Sequence, residues 1–365
     1  MNVLVTGSKG FIGKNLLVYL KEKNDVKVYE YDVENNFDDI VKIIDDIDFI
    51  YHFAGVNRPK DVKEFYEGNS DLTVSIVDLL NSRNKNIPLV YASSIQADLD
   101  NDYGKSKKKA EDYIRNNYSN GIIYRFHNVF GKWCKPNYNS VIATFCYNIS
   151  HDLEINITDR EKEIELVYID DICETLVTLL DNCVDVSKDI NYVFPRYKKT
   201  LGELADTLYT FKKSMNSIYV PKTGDPFIKK LFATYVSYVE LHNMVTDIKT
   251  NVDNRGSFSE LVRTNDSGQF SVSFSKPGIV RGNHYHNTKM ERFIVIKGKA
   301  KISFKKVNSD EHIEFTVSED KLQVVTIPVG YTHNIENIGD NEMILFIWCN
   351  ELFDQSHPDT YFMEV

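Results

Sequence analysis

The chain has 365 residues, enough for two domains, and 42% hydrophobic with 26% charged residues is the balance of a globular protein with a sizeable core. Its 43 basic and 53 acidic residues leave a net charge of −10, which argues against a polyanionic partner such as DNA but not against a local pocket for one diphosphate. The five cysteines (Cys134, Cys146, Cys173, Cys183, Cys349) are scattered without a CxxC pair, which argues against a disulfide framework or a thiolate zinc site.

In chain order, VLVTG reads as a strand, and FIGKNLLVYLKEK carries apolar residues at helical spacing. VKVYEY, FIYHFAG and PLVYASS read as further strands. Strands separated by helices imply βαβ units, so a doubly wound parallel sheet of the Rossmann type is expected over the first 180 or so residues. A helical stretch around Phe227–Leu241 follows. From about Asn251 the texture becomes short and β-rich, as in GQFSVSFSK, RFIVIKGKAKISFKK and MILFIWC, which predicts an all-β barrel or sandwich. The boundary is expected near 240–250, with residues 1–245 forming an NAD(P)-binding unit and 246–365 a second domain. A first strand starting at Asn2 leaves no room for a signal peptide, and no run of about 18 apolar residues suggests a membrane span. The expected location is cytoplasmic.

Gly7, Gly10 and Gly13 follow a strand and open a helix. Glycines there admit a pyrophosphate to the backbone, and the helix N-terminus presents free N–H groups to it. The turn residues Gly7, Lys9, Gly10, Phe11, Ile12 and Gly13, with Phe53, Ala54 and Gly55 at the end of a later strand, are the candidate cofactor cradle. Ser94 ends the strand PLVYASS, and Tyr103 stands nine residues on. On a helix, Lys107 shares the face of Tyr103. An adjacent ammonium is expected to lower the phenol pKa, so that Tyr103 exchanges a proton with a substrate oxygen that Ser94 holds. Tyr103 and Lys107 would also border the cofactor. Glu30 or Asp32 could accept the 2′-hydroxyl of NAD and repel the phosphate of NADP, or either acid could simply face solvent.

These residues resemble the extended short-chain dehydrogenases/reductases that act on nucleotide sugars. The likeness covers about residues 1–240 and includes RFHNVFG at 125–131 and VYIDD at 167–171. It implies an NAD(P)-dependent keto-sugar reductase.

The second domain carries Gly278-x5-His284-x-His286-x4-Glu291-x6-Gly298, then Pro328-x-Gly330-x2-His333-x3-Asn337. Alternate residues on a strand share a face, so His284 and His286 would point inward together, with His333 as a further inward histidine. Three imidazoles and the Glu291 carboxylate form a ligand set suited to Zn, Fe, Ni or Mn. The spacing resembles both motifs of the cupins, with Leu322 where the second motif opens on glycine. DNRGSF at 253–258 and Arg281-Gly282 resemble cupins that epimerise nucleotide keto-sugars.

Over its whole length the chain is similar to bifunctional capsular-polysaccharide enzymes that join these two folds. That resemblance implies C3 epimerisation of a UDP-2-acetamido-2,6-dideoxy-4-keto-hexose at a zinc cupin. It further implies NADPH reduction at C4 to UDP-2-acetamido-2,6-dideoxy-L-talose, and a homodimer joined through the cupins. Two other readings remain: a nonenzymatic NAD(P) sensor, which the presence of Ser94, Tyr103 and Lys107 opposes, and a metal oxygenase fused to a reductase.

Overall fold

The computed structural model describes residues 1–181 and 189–365, so Cys183 lies outside the described residues. The chain divides into two compact units, one of Met1–Tyr209 with Lys230–Val239 and one of Thr210–Lys229 with Glu240–Val365.

The first unit is built on a parallel sheet of β1 (Asn2–Thr6), β2 (Lys27–Tyr31), β3 (Phe49–His52), β4 (Leu89–Ser94), β5 (Gly121–Phe126) and β6 (Ile190–Asn191), ordered β2-β1-β3-β4-β5-β6. Both faces are covered, which explains why its central strands read as continuous apolar runs. Val3, Val5, Tyr51, Val90 and Tyr124 pack on one side, and Leu4, Ile50, Leu89, Tyr91 and Ile123 on the other. The order brings the carboxyl ends of β1, β3 and β4 side by side, where ligands of open α/β sheets collect. Two helices start there: α1 (Phe11–Lys21) after β1, and α2 (Asp102–Asn117) after β4. Asn101 caps α2 by accepting from Gly104 N at 2.8 Å, and α2 buries Gly104, Lys107, Ala110, Glu111 and Ile114 at helical spacing.

In the second unit β7 (Thr250–Asp253), β8 (Gly256–Thr264), β9 (Gly268–Ser275), β10 (Val280–Tyr285), β11 (Glu291–Lys297), β12 (Lys299–Lys306), β13 (His312–Ser318), β14 (Val324–Ile327), β15 (Tyr331–Asn337), β16 (Met343–Cys349) and β17 (Tyr361–Phe362) form two antiparallel sheets. Their orders are β7-β8-β9-β16-β11-β14 and β13-β12-β15-β10-β17. Phe293, Val295 and Leu345 of the first sheet share a core with Ala300, Ile302, Phe304 and Ile335 of the second. Strand β9 departs from the usual alternation: Gln269, Ser271, Ser273 and Ser275 are buried, while Phe270, Val272 and Phe274 are half-exposed. Leu322 is exposed, and the turn before it closes one residue earlier, through a Ser318–Lys321 bridge.

Among the described residues no helix is long and apolar enough to cross a membrane.

Candidate functional site

The glycine turn closes on backbone. Gly7 has φ +68°, and a Cβ there would sit 2.7 Å from Ala54 N; a Cβ at Gly13 would sit 2.2 Å from Gly7 O. Gly10, at the N-cap of α1, offers no capping side chain, so the first amides of the helix are left to a ligand. The end of β2 braces the turn: Tyr31 O accepts from Gly7 N at 2.8 Å, and Asp32 Oδ2 accepts from Lys9 N at 2.6 Å. Asp32 is therefore held by the turn it was expected to border, Glu30 is exposed, and Lys9 Nζ pairs with Glu34 at 3.0 Å.

Behind the turn runs a directed chain of hydrogen bonds. Ala54 N–H donates to Thr6 Oγ1 (3.2 Å), which lies 2.6 Å from His52 Nδ1. Thr73 donates its hydroxyl to Asn69 O (2.9 Å) and so accepts from His52 Nε2 at 2.9 Å. One neutral tautomer satisfies every link, in line with burial pulling the His52 pKa down to about 3. Asn69 carries the chain onward, donating to Ser106 Oγ at 3.0 Å and to Val56 O at 3.0 Å.

Tyr103 and Lys107 lie one turn apart on α2, beside Ser94 at the end of β4. Lys107 is buried, donates to Ala92 O at 3.0 Å and lies 4.9 Å from the centre of the Tyr91 ring. Gly55 is what lets it fit, since a Cβ there would come within 3.2 Å of Lys107 Nζ and 2.5 Å of Asn69 Oδ1. Burial lowers the Lys107 pKa to about 8 against the raising effect of Glu111.

The expected lowering of the Tyr103 pKa is corrected here. Burial pushes it up to about 12, and only the Ser94 hydrogen bond pulls the other way. The ammonium is turned to Ala92 O, so desolvation of the phenolate outweighs it. At neutral pH Tyr103 is a proton donor.

Sequence reasoning did not single out the ion pair behind these residues. The buried Glu111 accepts from Ser93 Oγ (2.5 Å) and from Arg125 Nε and Nη2 (2.8 and 2.7 Å), and Arg125 also reaches Asp98 at 2.5 Å. Its signal was a glutamate one turn beyond Lys107 on the buried face of α2.

In the second unit His284, His286, Glu291 and His333 converge, with one ligand atom from each within 4.8 Å of the others. His286 and His333 are almost fully buried, Glu291 is buried and His284 half-buried. Glu291 Oε2 stands 3.5 Å from His286 Nε2 and 3.3 Å from His333 Nε2, without the angles of a hydrogen bond. Among the described residues, His286 Nε2 and both ring nitrogens of His333 therefore have no hydrogen-bond partner. Burial, with help from His333, pulls the His284 pKa down to about 4, which keeps that imidazole neutral and its lone pair free. Burial pushes the Glu291 carboxyl up, but His286, His333 and Lys289 outweigh it and hold it well below the ordinary range. A neutral imidazole at His284, the unpartnered ring nitrogens of His286 and His333 and an ionised carboxylate converge, a donor set that fits a divalent metal.

A β-bulge makes this convergence. Gly282 pairs with Asn334, but His284 pairs with His333, so Asn283 is an extra residue. In regular pairing His284 would oppose Thr332 and point out of the core. Gly282 (φ +105°) and Asn283 (φ +58°) absorb the extra residue in the left-handed region, and the bulge turns His284 inward beside His333. Their ring centroids lie 4.6 Å apart.

A parallel sheet with a glycine turn, a serine-ended strand and a Tyr–Lys helix is the frame of a nucleotide-dependent oxidoreductase. Residues 3–193 match the NAD dependent epimerase/dehydratase family, to which the chain belongs; residues 251–361 match the polysaccharide biosynthesis C-terminal domain. The chain is 40% identical over 365 residues to the UDP-2-acetamido-2,6-beta-L-arabino-hexul-4-ose reductase of Pseudomonas aeruginosa, covering 99% of this chain and 98% of that one. It superposes on the crystal structure of the capsular polysaccharide assembling protein CapF from Staphylococcus aureus with a TM-score of 0.91 and 46% identity over 100% of both chains. A UDP-glucuronic acid 4-epimerase from Bacillus cereus in complex with NAD, 18% identical with a TM-score of 0.53, shares the fold over 58% of this chain and 85% of its own.

Lys107→Met should stabilise the protein at pH 7 by about 1–3 kcal/mol, because it removes a desolvated ammonium while keeping the stem. The folded pKa of about 8 lies below the ordinary 10.5, so wild type gains stability as pH rises from 8 towards 10.5 and the variant does not. Urea titrations across that window should show the difference between the two proteins shrinking; a constant difference would remove the assignment. Gly282→Ala brings a Cβ to 2.7 Å from His333 O in the left-handed region. It should destabilise the β unit by about 1–3 kcal/mol and move the His284 and His333 ring resonances in NMR. Unmoved resonances would mean that the bulge does not place those rings.

Proposed function

We propose that the protein is a bifunctional nucleotide-sugar enzyme. Its C-terminal unit, read as a cupin spanning 246–365, epimerises C3 of a UDP-2-acetamido-2,6-dideoxy-4-keto-hexose. Its N-terminal unit, 1–245, then reduces the C4 ketone to give UDP-2-acetamido-2,6-dideoxy-L-talose for capsular polysaccharide or O-antigen. The observation that carries the reading is the set of buried, unpartnered imidazole nitrogens around Glu291, which a reductase has no use for. The Pseudomonas relative, named as a reductase of a UDP-linked 4-keto sugar, supports the substrate class.

For reduction, NADPH supplies hydride to C4 when bound against Gly7–Gly13 and Phe53–Gly55. NADPH is read from the whole-chain likeness, since Lys9 at the turn is paired with Glu34. Ser94 would hold the ketone oxygen and Tyr103, kept protonated by burial, gives that oxygen its proton. Lys107, held by Ala92 O beside Gly55, would border the cofactor.

For epimerisation, His284, His286, Glu291 and His333 would hold Zn2+, whose Lewis acidity favours an enolate over a ketone. The C3 proton is acidic only while C4 is a ketone, so inversion comes before reduction. The half-exposed Phe270, Val272, Phe274 and Phe346 on the outer side of β9 and β16 support a homodimer through this unit.

The reading is tested by incubating the protein with the UDP-4-keto sugar and either NADPH or NADH, with NMR of the products. Tyr103→Phe should slow reduction by about 10²–10⁴ while deuterium exchange at C3 continues; reduction at the wild-type rate would acquit Tyr103. Alanine at His284, His286, Glu291 or His333 should lower the metal content by elemental analysis and stop C3 exchange, with dinucleotide binding intact. Full occupancy in all four variants would abolish the site assignment.

A further inference from the structure

The cluster is assembled from β10, β11, β15 and the turn between β10 and β11, and a distant part of the chain is fastened to β10, to β15 and to that turn. Asp359 O accepts from His286 Nδ1 at 2.6 Å, 73 residues away. A carbonyl only accepts, so Nδ1 of His286 carries a proton, and Nε2 is the nitrogen turned towards Glu291. The side chain of the same residue holds the loop between two of the candidate ligands. Asp359 Oδ2 accepts from Thr288 N and Lys289 N, both at 2.8 Å, and from Thr288 Oγ1 at 3.0 Å; Oδ1 accepts from Asn287 N at 3.1 Å. Asp359 does this at φ +38°, a conformation that costs a non-glycine residue energy and that the five bonds outweigh.

Beyond Asp359 the tail is laid along the bulged strand. Tyr361 and Phe362 of β17 pair with Tyr285 and His284, and Met363 N donates to the O of the bulge residue Asn283 at 3.0 Å. Met363 O accepts from Thr332 Oγ1, next to His333. The tail thus bonds to a neighbour of each of the three histidines: Asn283 O, Asn287 N and the Thr332 hydroxyl.

We infer that residues 358–365 are a positioning strap for the metal site, with Asp359 as its anchor. Asp359 is a positioning residue: it orients His286 and fixes the 287–289 loop that sets where Glu291 begins. This rests on the metal-site reading above. It adds that metal affinity is set by residues 358–365 as well as by the candidate ligands.

The test uses the full chain loaded with Zn2+ or Co2+. Affinity is measured by competition with a chromophoric chelator, geometry by the Co2+ d–d spectrum, and the metal-free protein by its melting temperature. Asp359→Ala should weaken Zn2+ binding by about 10–100-fold and alter the Co2+ spectrum. Asp359→Asn keeps one acceptor for Thr288 N and Lys289 N and should fall between Ala and wild type, which also gives a reading if Ala does not fold. Variants that melt lower without metal yet match wild type in affinity and spectrum would overturn the inference. A wild-type protein that takes up no Zn2+ would sink the metal-site reading and this one with it.

Discussion

Three imidazole nitrogens, on His286 and His333, that are kept away from water and have no hydrogen-bond partner among the described residues are the constraint on which the C-terminal unit turns. Each such group costs about 1–3 kcal/mol relative to a satisfied one, and a stable interior ordinarily removes them. Here the fold does the reverse. The bulge at Gly282–Asn283 brings His284 to face His333, and Glu291 is placed in reach of two of the rings. His286 is locked by its other nitrogen to Asp359 O. Regular pairing would have set His284 opposite Thr332, on the other face of the sheet from His333.

The N-terminal unit has a comparable tension around Lys107. Its ammonium is buried, and the nearest compensating charge, Glu111, is shared with Arg125, which is shared in turn with Asp98. The result is a cation that stays charged near neutral pH but holds its proton weakly. The same burial acts in the opposite sense on Tyr103, raising its pKa. One low-dielectric pocket thus keeps a donor phenol beside a weakened ammonium, the pairing a reductase needs when it must give a proton to an oxygen as hydride reaches carbon.

How much of this was legible follows from how local each cause is. The strands, the Gly7–Gly13 turn and the Tyr103–Lys107 helix rest on short-range periodicity and backbone sterics, and all lie where the sequence puts them. The convergence of His284, His286, Glu291 and His333 was legible from alternation along a strand, though for an incomplete reason. Alternation puts His284 with His286, but only the bulge puts His284 with His333, and its signal was the Gly282-Asn283 pair. The sign of the Tyr103 shift was misread because sequence shows the neighbouring charge and hides burial, which is the larger effect. The roles of Glu111, His52 and Asp359 depend on contacts across 14 to 73 residues, which periodicity does not reach.

On the proposed reading, the chemistry of the substrate explains why one chain carries both sites. The C4 ketone is what acidifies C3, and reduction destroys it. Reduction therefore fixes whichever C3 configuration is present, and a reductase that outruns the epimerase yields the wrong sugar. Each site must then favour its own step by geometry, since both bind the same nucleotide and the same ring. The C-terminal site has three imidazoles and an anionic carboxylate converging on one point, a donor set that would hold a cation, and the cation would stabilise charge on an oxygen. The N-terminal site has a phenol that stays protonated, suited to discharging it. The two environments are opposite in what they do to an enolate or alkoxide oxygen, and that opposition separates holding the acidic intermediate from ending it.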